Sequence, residues 1–182
     1  MGFYKELDGD LISLAKDGKF DVIAHGCNCH CTMGAGIAPQ MAKAFGADRF
    51  KMEAPQYQGD INKLGTIDSQ KRLVYKGEVS IDKSTFFTKW GHIESDETKS
   101  LVVVNAYTQY NYGANHADGT KKPVDYDAIT LVMRKINYIF QGQHIGLPKI
   151  GAGLAGGDWN IIKMIIQQEL KDCDVTIVNY VK

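Results

Sequence analysis

Twice along this chain an apolar, strand-forming run ends in a glycine-rich turn that opens into a helix-like segment. The first unit runs from DVIAH at 21–25 through GCNCHCTMGAG to the helical pattern GIAPQMAKAF at 36–45. The second runs from residues 144–147 through PKIGAGLAGGDW at 148–159 into DWNIIKMIIQQEL at 158–170. A strand that hands over to a helix through small residues is the repeating unit of an α/β sheet, and ligand crevices of such sheets lie at the carboxyl ends of the strands. This pattern excludes an all-helical bundle and an all-β sandwich.

The remaining segments fit the same architecture. LVVVNAY at 101–107 reads as a buried strand, and DVTIVNYV at 174–181 closes the chain as another. Residues 124–140 carry apolar side chains at three- to four-residue spacing and predict a long amphipathic helix. In 36–45, Ile37, Met41 and Ala44 or Phe45 share one face, and Pro39 is tolerated only in the first turn, where its missing N–H is not needed. The stretch 46–100 is less regular: RLVYKGEVSI and STFFTKW suit a hairpin or an irregular insertion, and GHIESDETKS a solvated turn. There are no repeats, low-complexity tracts or interdomain linkers. One α/β domain over 1–182, with helices on both faces of the sheet, is expected.

Composition limits the function classes. Lys and Arg number 21 against 21 Asp and Glu, so the formal charge is zero. Bulk attraction to nucleic acid, which works through phosphate neutralisation, is not expected, although a local basic patch stays open. No apolar run approaches the ~20 residues of a membrane span. The N-terminus lacks the apolar middle of a signal peptide, and Glu6 stands where a myristoylation motif needs Ser or Thr. A soluble, cytoplasmic, monomeric protein is expected. Cys27, Cys29, Cys31 and Cys173 read as thiols, because Cys-x-Cys pairs rarely meet disulfide geometry. His25, Cys27, Cys29, His30 and Cys31 invite a zinc reading, but zinc sites usually draw a second ligand pair from a distance, and only Cys173 remains to supply one. No metal and no cofactor is expected.

The chemistry concentrates in the two glycine turns. Glycines let the backbone approach a ligand closely, and helix N-terminal N–H groups favour anions. The first turn has neither the dinucleotide G-x-G-x-x-G spacing nor the lysine of a P-loop. Each alone is also consistent with a plain tight turn. Together they suit a diphosphate, which needs several backbone donors and little side-chain bulk.

The two turns resemble those of the macrodomain family, an ADP-ribose-binding α/β/α fold with a central mixed sheet. The resemblance spans GDL at 9–11, VIAHGCN at 22–28, MGAGIA at 33–38 and IGAGLAGGDW at 150–159, and is nearest to the ADP-ribose-1″-phosphate phosphatase type and its phage and bacterial relatives. It implies that Asp10, flanked by Gly9 and Leu11, accepts a hydrogen bond from the adenine amino group. It implies that Asn28, preceded by Gly26 and Cys27, holds the distal ribose. Met33, Gly34, Ala35, Gly36 and Ile37 would form the first wall of the site. Ile150, Gly151, Ala152, Gly153, Leu154, Ala155 and Gly156 would wrap the diphosphate.

Departures from the family pattern bear on the activity. Ala38 stands where some members carry a catalytic aspartate, and Gln109 where others carry a catalytic lysine. Met33 replaces a histidine of the viral type, and Ala155 an aromatic of the second loop. His25 matches a histidine of the cellular phosphatase type. The resemblance therefore implies hydrolysis of the 1″-phosphate of ADP-ribose 1″-phosphate, with Asn28, His25 and Asp158 as catalytic candidates and His25 or Asp158 acting on the attacking water. His25 equally suits a core histidine, and Asp158 a plain helix N-cap. A non-catalytic ADP-ribose reader, and a hydrolase removing ADP-ribose from protein or nucleic acid, are the alternatives. Residues 107–112 and 116–122 are expected to form a loop near the same crevice.

Overall fold

A computed structural model describes residues 2–50, 59–94, 97–112 and 124–181. Seven strands form one sheet: β1 (Tyr4–Gly9), β2 (Val22–Asn28), β3 (Ile67–Tyr75), β4 (Glu78–Ser80), β5 (Lys99–Gln109), β6 (His144–Leu147) and β7 (Asp174–Tyr180). Their order is β1-β7-β6-β2-β5-β3-β4. The first five are mutually parallel, and β3 and β4 add an antiparallel edge. The sheet is therefore mixed, as expected.

Alternation along the central strands builds two cores, because successive side chains leave a strand on opposite faces. Ile23 and Val103 meet α1 (Leu11–Lys16) and α2 (Ala38–Phe45) through Leu11, Ile12, Ala15, Met41 and Phe45. Ala24 and Val104 meet α4 (Tyr126–Ile139) and α5 (Trp159–Glu169) through Ile129, Met133, Ile136, Ile162 and Ile166. The result is three layers, with Pro39 in the first turn of α2. Aspartates cap α1, α4 and α5: Asp10, Asp125 and Asp158 each accept from a backbone N–H of the first turn.

Several segments extend, resolve or depart from the sequence reading. The strand over 21–25 continues to Asn28, because Gly26 and Cys27 keep pairing with Ala106 and Tyr107 of β5. The N-terminal residues form β1 and α1; β1 is an edge strand with three exposed positions, so it carries no strong apolar signal, and its pairing comes from β7. RLVYKGEVSI is the hairpin β3–β4, with Lys76 and Gly77 both at positive φ, as a two-residue type I′ turn requires. STFFTKW lies in a helix instead, α3 (Lys83–Trp90), capped by Asp82 and seated by Phe86 on Tyr75. Residues 107–109 belong to β5, and 116–122 lie outside the described residues. Among the described residues no helix is long and apolar enough to cross a membrane.

Candidate functional site

The carboxyl ends of β2, β5 and β6 open onto a cleft of about 680 Å³. Its floor is Gly26, Cys27 and Asn28, with Gln109 alongside; Gly34 to Ala38 form one wall, and Ile150, Gly151 and Gly153 to Ala155 the other. A second cavity of about 470 Å³ adjoins it, lined by Asp10, Leu11, Gln40, Val178, Asn179 and Tyr180. Gly36, Ile37, Pro148 and Lys149 line both. The two cavities thus share a waist, with Asp10 at one end of the groove and Asn28 at the other.

Each wall is shaped for an anion. Gly34 and Gly153 face open space, since a Cβ placed on either would meet nothing within 4 Å. Gly36 does the same and sits at φ +64, a conformation that side chains disfavour. Among the described residues, the N–H groups of Gly34, Ala35 and Gly36, and those of Gly153, Leu154 and Ala155, find no protein acceptor. Gly151 is at φ +75, and Gly157 donates to its carbonyl at 2.8 Å, which closes the second turn on itself. Two ranks of unpaired backbone donors therefore belong to residues that line one cleft, and such groups can hold a phosphate without bulk.

Asn28 reaches the floor through a register irregularity between Cys27 and Asn28, a bulge that re-aims the strand end. It is 6% exposed. Its Nδ2 donates to Thr32 O at 3.0 Å and Thr32 Oγ1 at 2.9 Å, and its Oδ1 accepts from Thr32 N at 3.3 Å. The amide thus both lines the cleft and folds the first loop back on the strand. At the far end, Asp10 Oδ1 accepts from Ile12 N at 2.9 Å and Ser13 N at 3.2 Å while the residue lines the second cavity. Capping and ligand contact are compatible, because a carboxylate has lone pairs on two oxygens.

Two of the three catalytic candidates do not reach the cleft. His25 is 0% exposed and lines neither cavity; its Nε2 lies 2.7 Å from Asn105 Oδ1, on the side of the sheet covered by α2. Burial pushes its pKa down to about 4, against the raising effect of the Asn105 bond, so the imidazole is neutral near pH 7. It is a core histidine because strand alternation puts it on the face of Ile23 and not at the strand end. Asp158 lines neither cavity and caps α5, accepting from Asn160 N at 2.9 Å. Gly9, Met33, Ala152 and Gly156 also fall outside the lining. Gly9 packs on Leu7, Leu14 and Val178, and Met33 on the apolar cores. The other expected contact residues all line the groove.

Sequence reasoning missed Thr32, Gln40, Pro148, Lys149 and Tyr180 as lining residues, and placed Tyr112 only in a loop near the crevice. Lys149 lines the waist, and its ammonium stands 5.8 Å from the centre of the ring of Trp159, a residue outside the lining. Its place immediately before the second glycine turn was the available signal. Cys27 is the cysteine in the lining, and burial raises its thiol pKa far above the usual range, so it stays protonated. All four cysteines are free thiols. Among the described residues no three His, Cys, Asp or Glu side chains converge as metal ligands would.

Comparison with known proteins fits this geometry. No protein-family model matches the chain. It is 31% identical, over 97% of its length and 96% of the relative, to an uncharacterised 17.5 kDa protein from the tk–vs intergenic region of Enterobacteria phage T4. It is 27% identical, over 89% of its length and 90% of the relative, to the ADP-ribose 1″-phosphate phosphatase of Candida albicans. Among solved structures, the macrodomain of Thermus aquaticus DarG superposes over 100% of both chains with a TM-score of 0.56 at 17% identity. A Streptomyces coelicolor macrodomain protein matches 96% of this chain and 97% of its own at TM-score 0.56 and 21% identity. The chain has the macrodomain fold. A further structural match is Thermosipho africanus DarTG, solved in complex with ADP-ribose, at TM-score 0.59 and 16% identity, covering 98% of this chain and 42% of that one. In this macrodomain the mixed sheet and both glycine turns occur in the expected order.

Proposed function

We propose that this macrodomain binds ADP-ribose derivatives along the joined groove and hydrolyses ADP-ribose 1″-phosphate to ADP-ribose and inorganic phosphate. The carrying observation is the groove itself: a carboxylate at one end, an amide at the other, and two ranks of unpaired backbone donors flanking a lysine between them. The adenosine would lie at Asp10, the diphosphate at the waist by Lys149, and the distal ribose at Asn28. The bound ADP-ribose in Thermosipho africanus DarTG and the activity of the Candida albicans relative support this reading.

In the proposed reaction water attacks the 1″-phosphorus, and the bond from phosphorus to the anomeric oxygen breaks. The water proton passes to a phosphate oxygen and then to the leaving hydroxyl. The chain's part is to hold the ribose through Asn28 and Gln109 and to place the amides of Gly34 to Gly36 against the charge spreading over the phosphoryl oxygens. His25 and Asp158 take no part in it.

A second reading is favoured by one observation. Among the described residues, neither histidine nor carboxylate lines the distal half of the groove, so an ADP-ribose reader without turnover fits the same geometry. Phosphate release from ADP-ribose 1″-phosphate, measured beside ADP-ribose calorimetry, separates the two. Turnover by wild type that falls about a hundredfold in Asn28→Ala, with the fold intact by circular dichroism, is the expected result. Binding without phosphate release would leave the reader. Release of ADP-ribose from a modified macromolecule, without activity on the 1″-phosphate, would replace both by the macromolecular hydrolase.

A further inference from the structure

At the opposite end of α2 from the groove lies a third cavity, of about 500 Å³, lined by Lys43, Phe45, Gly46, Arg49, Arg72 and Ile81 among others. With a rise of 1.5 Å per residue, the eight residues of α2 separate it from the first glycine turn by about 12 Å. Three cations line it and no carboxylate does. In a chain of zero formal charge this local excess is a feature of the fold and not of the composition.

Two guanidinium groups converge on one point. A Cβ at Gly46 would sit 3.6 Å from Arg72 Nη2 and 3.8 Å from Arg49 Nη2, and Gly46, at φ +70, is a position that favours glycine. Arg72 is fixed in place: its Nε donates to Phe45 O at 3.0 Å, its Nη1 to Lys71 O at 3.0 Å, and its guanidinium stands 5.1 Å from the centre of the Phe50 ring. Burial and the neighbouring Arg49 charge both lower its pKa, the mark of like charges held together. Among the described residues, Lys43 and Arg72 have no ion-pair partner, while Arg49, whose side chain is largely exposed, pairs with Asp48 at 4.0 Å. Arg72 also satisfies the carboxyl end of α2, but that role explains neither Arg49 nor Lys43.

We infer that the Lys43–Arg49–Arg72 cavity is a second anion site, separate from the ADP-ribose groove, that takes a phosphoryl group. Arg72 Nη2 and the Arg49 guanidinium, beside a glycine that adds no side chain, with Lys43 in the same lining, offer charged donors to the oxygens of one phosphate. The phosphate is either carried by a small phosphorylated molecule or part of the phosphodiester backbone of a nucleic-acid strand.

The test titrates inorganic phosphate by ³¹P NMR and a fluorescein-labelled oligothymidylate by anisotropy, on wild type and on Lys43→Gln/Arg49→Gln. Neither substituted side chain makes a hydrogen bond to a described residue, so the fold should be unaffected. The double variant is expected to weaken phosphate binding by about tenfold, in step with the loss of two charge-assisted contacts. If the source is a strand, oligothymidylate binding weakens as well and its salt dependence drops by about 0.7 in slope per lost contact. Loss for phosphate alone assigns a small phosphorylated molecule. Equal affinities in wild type and double variant, for both probes, would overturn the site. Arg72→Lys keeps the charge and removes the fork; lowered stability with unchanged phosphate binding in that variant would return Arg72 to helix capping and overturn its part.

Discussion

At the scale of single residues, the buried imidazole of His25 ties stability to pH. Its folded pKa, pushed down to about 4, lies below the ~6.5 of an exposed histidine, so the unfolded chain binds the proton more readily. The contribution is intact above pH ~6.5, declines as pH falls through that value, and levels off near the folded pKa. At pH 5 the linkage amounts to about 2 kcal/mol. Urea unfolding at pH 7.5 and pH 5 should show that loss in wild type and not in a folded His25→Phe variant. A variant with the same pH dependence as wild type would mean that His25 is not the titrating group. The same burial keeps the histidine, read as a catalytic candidate from its place three residues before Asn28, in the core and out of the cleft lining. Asn28 shows the converse. Its residue type and position after a strand were legible, but its bonds to Thr32 were not, because they depend on how the following loop folds back.

At the scale of elements, the glycine turns carry the site and their conformations are demanding. Gly151 sits at φ +75, and a Cβ there would come within 2.9 Å of Val124 Cγ2 and 3.1 Å of Ile129 Cδ1. Gly151→Ala should therefore lose roughly 2–3 kcal/mol, combining the left-handed strain with displacement of α4 packing, readable as a lower urea midpoint at unchanged slope. A change under ~0.5 kcal/mol would show the turn able to relax, and its shape would then not be set by glycine. The buried elements β2, β5, β6, β7, α4 and α5 were legible because apolar periodicity follows from burial on known faces. Short or edge elements were not. α1 has six residues, too few for periodicity to register, and β1 is an edge strand whose partner β7 comes from the other end of the chain. In α3, Thr and Phe suggest strand, and the helix exists because Asp82 caps it and Phe86 finds Tyr75.

At the scale of the whole molecule, ligand binding and folding are linked, since the groove draws its lining from the ends of β2, β5 and β7, the start of α1 and the two glycine turns, which separate on unfolding. ADP-ribose at about a hundred times its dissociation constant should add about 2.7 kcal/mol to stability. For a chain of this size that corresponds to a rise in Tm of roughly 5–10 °C in a thermal melt. Adenosine alone, which lacks the diphosphate, should give a much smaller shift. No shift with ADP-ribose would remove the binding reading altogether. The sequence by itself determined the α/β class, the two glycine turns and their order, because hydrophobic periodicity and glycine placement are local signals. Only the tertiary structure decided that Asp10 and Asn28 close opposite ends of one groove, that Lys149 stands between them, and that His25 belongs to the core. It also decided that Lys43, Arg49 and Arg72 meet at the far end of α2. Those outcomes depend on strand order, on register and on which face of the sheet a side chain leaves, and residues distant in the chain set all three.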